Sequence, residues 1–557
     1  MDGMRFDCNR LDIVAVAGVG VICLFPAMLG LWYFIDHSWP YWDGASHVID
    51  AIKYQELLSH PSVFKIEWWR KFLTVNYCYS PVLHSLYGLF KVLLGSGLLV
   101  EKVFAVIYCL ILSAASYLIS WRIFRSRLSS ALTVVVVNTL PIVMQYSHST
   151  YLDFAFLSLC SLCLLTLSWW LEKVCWFRTI ALGIILGIGV SSKQVASYFL
   201  ILPCLYLAVL FLKNRDFRSF RHLSLAGLVA CLFLAVWIIP NYNAIIEFTR
   251  RPRVVSGNPN FLEILHTNLC GYLLQLPESV SPLLLLPALV ALVSLPWTFH
   301  RIEKRNRDYF WLILLSASGL LFLLHIAYNN PEIRYAMPIF LFVSILTGNV
   351  LRDLVDSKFI AVKAFGVSYI ALILFQYLYY CFTPYPLTIP QSLAQIGASI
   401  SAKPYRKFSY LPNKNPTPGD DLWRQVWMLE QIKQADGGAI SYLLVVPNEP
   451  RYNVHTMNLI SLLRNQRTQA TTLRTWTANG DEIEFDESKL DYFRWYLLLD
   501  SSKPQTYREF YPQEIPKDEA SFKALELQKS AIKRRAQLFA SERLVDGTTL
   551  QLYRQKN

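Results

Sequence analysis

Long apolar runs separated by short polar turns fill the first two thirds of the chain. A bilayer span needs about 20 apolar residues. Runs at or near that length occur at 11–35, 101–121, 129–147, 151–171, 178–192, 195–212, 222–243, 281–299, 309–328, 334–351 and 359–382. The first is too long for a signal-peptide core and lacks a small-residue cleavage pattern, so it reads as a retained span. The stretch 81–98 (PVLHSLYGLFKVLLGSGL) is shorter and carries Lys91, and it reads as an interfacial or re-entrant helix.

Charge orients these elements. With 81–98 outside the count, the basic loops fall on one side: Arg122, Arg125 and Arg127; Lys173 and Arg178; Lys213, Arg215, Arg218 and Arg221; Arg301, Lys304, Arg305 and Arg307; Arg352 and Lys358. The positive-inside rule makes that side cytoplasmic, which places the N-terminus inside and, after an odd number of spans, the C-terminus outside. Counting 81–98 as a span breaks the agreement. The formal net charge of +13 is thereby absorbed by membrane orientation, and a nucleic-acid partner is not implied.

The expected fold is an all-α polytopic membrane bundle of about 11 transmembrane helices plus interfacial helices, with a C-terminal extracytoplasmic α/β domain. Its transmembrane part is 1–382, with outer loops at 36–80 and 244–280; 383–418, rich in Pro, Lys and Asn, reads as a linker to a soluble domain at 419–557. In the first outer loop Ala45, Val48, Ile49 and Ile52 recur at helical spacing, and Trp68 and Trp69 suit the membrane interface. The soluble domain shows strand patterns at Ile440–Val446, Tyr496–Leu499 and a hairpin at Arg543–Tyr553 around Asp546-Gly547, with helical patterns at Trp423–Gln434 and Thr456–Asn465. Nearly all of the 11 cysteines lie in or beside apolar runs, and none follows Cys381. Cys160 and Cys163 form a CxxC inside a span, where small apolar helix residues are the simplest reading.

Ionisable groups at the rim of a membrane bundle are costly and tend to serve function. Asp43, in SWPYWDGASHVID, lies just beyond the first span, where a carboxylate can act as a general base on an acceptor or cap the helix that follows. Asp153, in YSHSTYLDFAFL, is expected at the same depth, five residues after His148; it too reads as a cap, and His148 as a hydrogen-bonding interface histidine. Lys193 in GVSSKQVA, Arg334 in NNPEIRYAMP and Arg250, Arg251 and Arg253 put positive charge on the outer side, against the general trend. A lipid phosphate explains such a set through charge-assisted bonds; snorkelling toward headgroups explains any one of them equally well. Tyr79, Ser80 and Pro81 with His84 open the interfacial segment and are candidates to line a substrate site, although proline at a helix start is expected on structural grounds.

Taken in order, these motifs resemble the C-class glycosyltransferases, in particular the branch of protein O-mannosyltransferases and bacterial aminoarabinose transferases. The resemblance covers roughly residues 10–350: WDGASH, then SPVLHSLYGLFKVLLG, STYLDFAFLSL, GIILGIGVSSKQVASYFLILP and IRYAMPIFLFVSIL. It implies Asp43 as the catalytic base or nucleophile-orienting group; Asp153, at the same depth, is the second catalytic candidate. It also implies that basic residues bind the polyprenyl phosphate, here Lys193 and Arg334, and Arg251 is a further candidate for that phosphate. The chain departs from the family where paired acids are common in the first loop, since Gly44 follows Asp43, and where Tyr79-Ser80-Pro81 replaces His-Pro-Pro. Those departures leave the acceptor and any metal requirement open; a divalent metal, if used, would fall to Asp43 and Asp153.

The expected function is an inverting transfer of a sugar from a polyprenyl-phosphate donor to a protein, lipid or glycan acceptor at the extracytoplasmic face. Two other classes compete. A secondary transporter would show paired repeats and ionisable groups near the bilayer midplane, whereas these acids sit at one rim. A non-catalytic receptor or assembly protein would depend on the C-terminal domain and tolerate loss of Asp43.

Overall fold

The structure, a computed structural model, describes residues 13–36, 39–250, 261–324, 332–382, 424–446, 452–473, 486–500, 519–544 and 548–556. The expected linker 383–418, Arg251, Arg253 and the Asp546-Gly547 turn lie outside them.

In chain order the bundle comprises α1 (Ile13–Ile35), α2 (Trp42–Ser59), α3 (Ile66–Thr74), α4 (Pro81–Leu94), α5 (Leu99–Phe124), α6 (Arg127–Thr139), α7 (Pro141–Ser147), α8 (Leu152–Glu172) and α9 (Trp176–Ser192). It continues through α10 (Ala196–Lys213), α11 (Phe217–Arg250), α12 (Phe261–Val280), α13 (Pro282–Val293), α14 (Leu295–Arg301), α15 (Arg307–Ala317), α16 (Leu320–Leu324), α17 (Ile339–Val355) and α18 (Ile360–Phe382). Among the described residues, seven helices are long and apolar enough to cross a membrane, or nine if each bent pair is one span.

The bends lie where continuous spans were expected. Between α6 and α7 the axis turns by 65°, because Pro141 holds Leu140 extended at ψ 127°. The same 65° turn separates the α13 run from α14, at Ser294 and Pro296. A second difference concerns 244–280, read from sequence as a loop: α11 runs on to Arg250 and α12 occupies Phe261–Val280.

The two ends of the bundle differ in charge. At one end Arg122 bonds Glu172 at 2.9 Å, Arg125 reaches Asn306 at 3.4 Å and Arg301 meets Asp353 at 3.4 Å. At the other end α2 and α4 pack closely enough that a Cβ at Gly88 would lie 2.6 Å from Tyr54 Cβ. There Lys91, at 0% side-chain exposure, donates to Gly97 O at 2.6 Å and to Glu101 at 3.0 Å, tying α4 to the start of α5.

The C-terminal part adds α19 (Gln425–Ala435), α20 (Val454–Leu463) and α21 (Glu519–Arg535) around five strands: β1 (Ser441–Val445), β2 (Thr468–Thr471), β3 (Trp495–Asp500), β4 (Ala536–Arg543) and β5 (Thr549–Gln555). Their order is β2-β1-β3-β5-β4, with β1 parallel to β2 and β3, and β5 antiparallel to β3 and β4. Both faces are covered: Leu443, Val445 and Leu497 pack with Met428 and Met457, while Leu444, Tyr496 and Leu498 pack with Ile532. The membrane-type bundle with a small C-terminal sheet domain is the architecture expected from sequence.

This domain is seated on α2. Leu459 of α20 is buried with Ala45, Val48 and Ile52 of α2, and Thr456 Oγ1 donates to Pro40 O at 2.9 Å.

Candidate active site

Asp43 and Asp153 both stand in the first turn of a helix, α2 and α8. Neither is the cap. The N-cap positions are Tyr41 and Tyr151, which make no side-chain capping bond, so the carboxylates are free to point elsewhere while the helix N-termini favour their negative charge. Trp42, directly before Asp43, has φ 44°, a left-handed conformation that costs a bulky residue about 1–2 kcal/mol.

Arg334, in the short turn before α17, joins the two acids. Its Nη1 donates to Asp43 Oδ2 at 2.9 Å and lies 3.8 Å from Asp153 Oδ2. Its Nε meets Glu332. Lys193, at the end of α9, donates to Asp153 Oδ1 at 2.5 Å and sits 4.5 Å from the centroid of the Tyr335 ring. Asp153 is buried at 2% exposure, whereas Asp43 is 43% exposed and faces the opening. Sequence positions 43, 153, 193 and 334 thus come together in one cluster. It holds three carboxylates against two cations, one acid in excess, so a phosphate entering it would have to take Arg334 donors from Asp43 or Glu332.

Gly44 explains a departure seen in the sequence. A Cβ there would lie 2.6 Å from Thr150 Oγ1, so the chain packs the first-loop helix against the start of α8 only because position 44 lacks a side chain. An acid in its place would not fit this packing.

Tyr79 and His84 line the same region. The Tyr79 ring stands edge-on to His47 at 4.9 Å. Burial first, then the nearby carboxylates of Asp43 and Asp153, holds its hydroxyl well above the ordinary tyrosine range. His84, fully buried, bonds His47 between Nε2 and Nδ1 at 3.1 Å. His148 is packed differently: its ring lies 4.4 Å from Trp32, Nδ1 faces Met144 O at 2.6 Å, and Nε2 faces Cys381 Sγ at 3.4 Å. It contributes to a small, partly open pocket lined also by Tyr33, Asp36, Tyr41, Lys102 and Tyr151, whose Tyr41–Tyr151 wall borders the Asp43 cluster.

Sequence reasoning passed over His47, Glu332 and His455. His47 carried a signal, four residues after Asp43 and hence on the same helical face. Glu332 stands two residues before Arg334. His455 carried none, since only the seating of α20 on α2 brings it near. Among the described residues no group of three or more His, Cys, Asp or Glu is arranged to hold a metal. Asp43 and Asp153 are already matched by Arg334 and Lys193, so this donor set does not fit a divalent cation.

Residues 79–239 match the family described as dolichyl-phosphate-mannose-protein mannosyltransferase. No curated protein matches the chain. Among solved structures, ArnT from Cupriavidus metallidurans in the apo state is similar at 14% identity and TM-score 0.52, over 97% of this chain and 98% of that one. The same protein bound to undecaprenyl phosphate aligns at 13% identity and TM-score 0.48, over 97% of each chain. On the family match over residues 79–239 and a fold shared along nearly the whole chain, the resemblance to the C-class glycosyltransferases read from the sequence is borne out.

Proposed function

We propose that the chain is an inverting glycosyltransferase that moves a sugar from a polyprenyl-phosphate donor to an acceptor at the extracytoplasmic membrane face. The observation that carries this is the convergence of Asp43, Asp153, Lys193 and Arg334, with one guanidinium nitrogen within 2.9 Å and 3.8 Å of the two carboxylates. The matched family is described by a dolichyl-phosphate sugar, which favours a lipid-linked donor. Charge supports this face: Arg122, Arg125, Arg178, Arg301 and Arg352 gather at the end of the bundle away from the cluster, the end that the positive-inside rule favours as cytoplasmic.

The resting pairing suggests an order of events. Arg334 holds Asp43. A donor phosphate competes for the guanidinium, and Asp43, the exposed acid, is released to take the acceptor's proton. Lys193 and Arg334 then stabilise the charge that develops on the departing phosphate. A single displacement inverts the anomeric centre. Tyr41 and Tyr151 lead from Asp43 toward the small aromatic pocket around His148. The acceptor is a protein, lipid or glycan group with a nucleophilic hydroxyl or amine.

The test is transfer of radiolabel from a panel of polyprenyl-phosphate sugars in membranes holding the wild type or Asp43→Asn. Label should move to product with the wild type and not with the variant at equal expression. Absence of turnover with every donor, or full activity in Asp43→Asn, would overturn the reading.

A further inference from the structure

We infer that His47 and His84 form a proton relay that carries the acceptor's proton away from Asp43 and returns it to the departing phosphate. This rests on the transferase reading above and adds to it two residues that reading does not use. Asp43, His47 and Asp50 recur at helical spacing on one face of α2, so the His47 ring lies one turn below the proposed base. Side chains so spaced have Cβ atoms roughly 5–6 Å apart.

The pair is held from every side. His47 Nδ1 and His84 Nε2 are 3.1 Å apart, and both rings are buried, at 4% and 0% exposure. Tyr79 meets His47 edge-on and Tyr54 lies parallel to His84 at 6.5 Å. Asp50 accepts from Lys53 at 2.9 Å and from Asn76 Nδ2 at 2.5 Å. Asn76 Oδ1 in turn accepts from the backbone N–H groups of Cys78 and Tyr79, which fixes the turn that carries the Tyr79 ring.

One proton lies between the rings. When it belongs to His47 Nδ1, His47 Nε2 has a free lone pair and can accept; acceptance there pushes the Nδ1 proton toward His84 Nε2. Reversal delivers a proton from His47 Nε2. Burial, then His84, Lys193, Arg334 and His455, holds His47 well below the ordinary histidine range, so the ring rests neutral and a proton it takes up is readily passed on. The same cations grip the leaving phosphate, which places the relay between proton source and proton sink.

The step balances. The acceptor's O–H or N–H bond breaks as its heteroatom bonds the anomeric carbon, and the bond from that carbon to the phosphate oxygen breaks with its electron pair on oxygen. The proton passes from the acceptor to Asp43, to His47 and finally to the phosphate, leaving a polyprenyl hydrogen phosphate. No oxidant, reductant or further reactant is needed.

The experiment uses the full chain in lipid nanodiscs with radiolabelled dolichyl-phosphate mannose, water serving as the acceptor, and follows free mannose. The groups facing His47 are Asp43 and Asp50 on its own helix, Tyr79 and His84, Lys193, Arg334 and His455. His47→Gln should lower kcat by about 10²-fold, leave the KM for donor within twofold and shift the acid limb of the kcat–pH profile. His47→Ala should recover turnover with added imidazole, and His84→Gln should move the acid limb while preserving the melting temperature. Unchanged kcat and pH profile in both Gln variants, or turnover lost in His47→Ala that imidazole does not restore, would overturn the relay while leaving the transferase reading intact. A wild type that releases no mannose from any polyprenyl-phosphate donor overturns both.

Discussion

Arg334 donates to Asp43 at 2.9 Å across 291 residues of sequence, which makes the last motif of the bundle the resting partner of the first. Removing the carboxylate's charge therefore tests function with little cost to the fold, because Asp43 is 43% exposed. Asp43→Asn should reduce sugar transfer by at least about 10²-fold, with an unchanged melting temperature in detergent. Parallel radiolabel and thermal-shift measurements on one preparation check this.

Asp153 and Lys193 present the opposite case, an ion pair at 2% and 8% exposure. Lys193→Met leaves a buried carboxylate with only the more distant Arg334 and should cost about 3–5 kcal/mol. The double variant Asp153→Asn, Lys193→Met should be less destabilised than the two single effects added together. Thermal midpoints of the four proteins decide it.

Gly44 should not accept a methyl group. Gly44→Ala places a Cβ 2.6 Å from Thr150 Oγ1 and should cost about 1–3 kcal/mol by overpacking. Adding Thr150→Ala removes the obstructing oxygen and should restore much of the melting temperature, since the remaining contacts with Tyr151 are at 3.3 Å and 3.4 Å.

Acid should destabilise the rim of the bundle through its buried imidazoles. Burial holds His47 and His84 below the ordinary histidine value of about 6.5, so between that value and their lowered folded values the unfolded chain binds more protons. Stability is then full above the unfolded value and falls as pH drops below it toward the folded ones. Melting temperature measured from pH 7.5 to 5 should decline, and His47→Gln should flatten the decline. An equal slope in wild type and variant would contradict this assignment.

The bundle was legible because spanning segments are long and apolar, and Asp43, Asp153, Lys193 and Arg334 stood out as charges beside them. Their pairing was not legible, since contacts between positions 43 and 334 depend on helix packing. The bends at Leu140 and Ser294 were missed because hydropathy does not register the proline that follows each within two residues. Strand β2 escaped notice because Thr468–Thr471 is four residues long and mostly polar, lacking the apolar run that marked β1. His455 illustrates the hardest category, a side chain whose neighbourhood exists only after one domain settles on another.

The Lys91–Glu101 pair bears on folding. Neither charge can be left alone in hydrocarbon without a cost of about 2.5–3.5 kcal/mol or more, yet together, with the Gly97 carbonyl, they are sealed within the protein. Burying Lys91 therefore requires the short helix Pro81–Leu94 to be docked on the head of the span Leu99–Phe124, so the two fold as one unit.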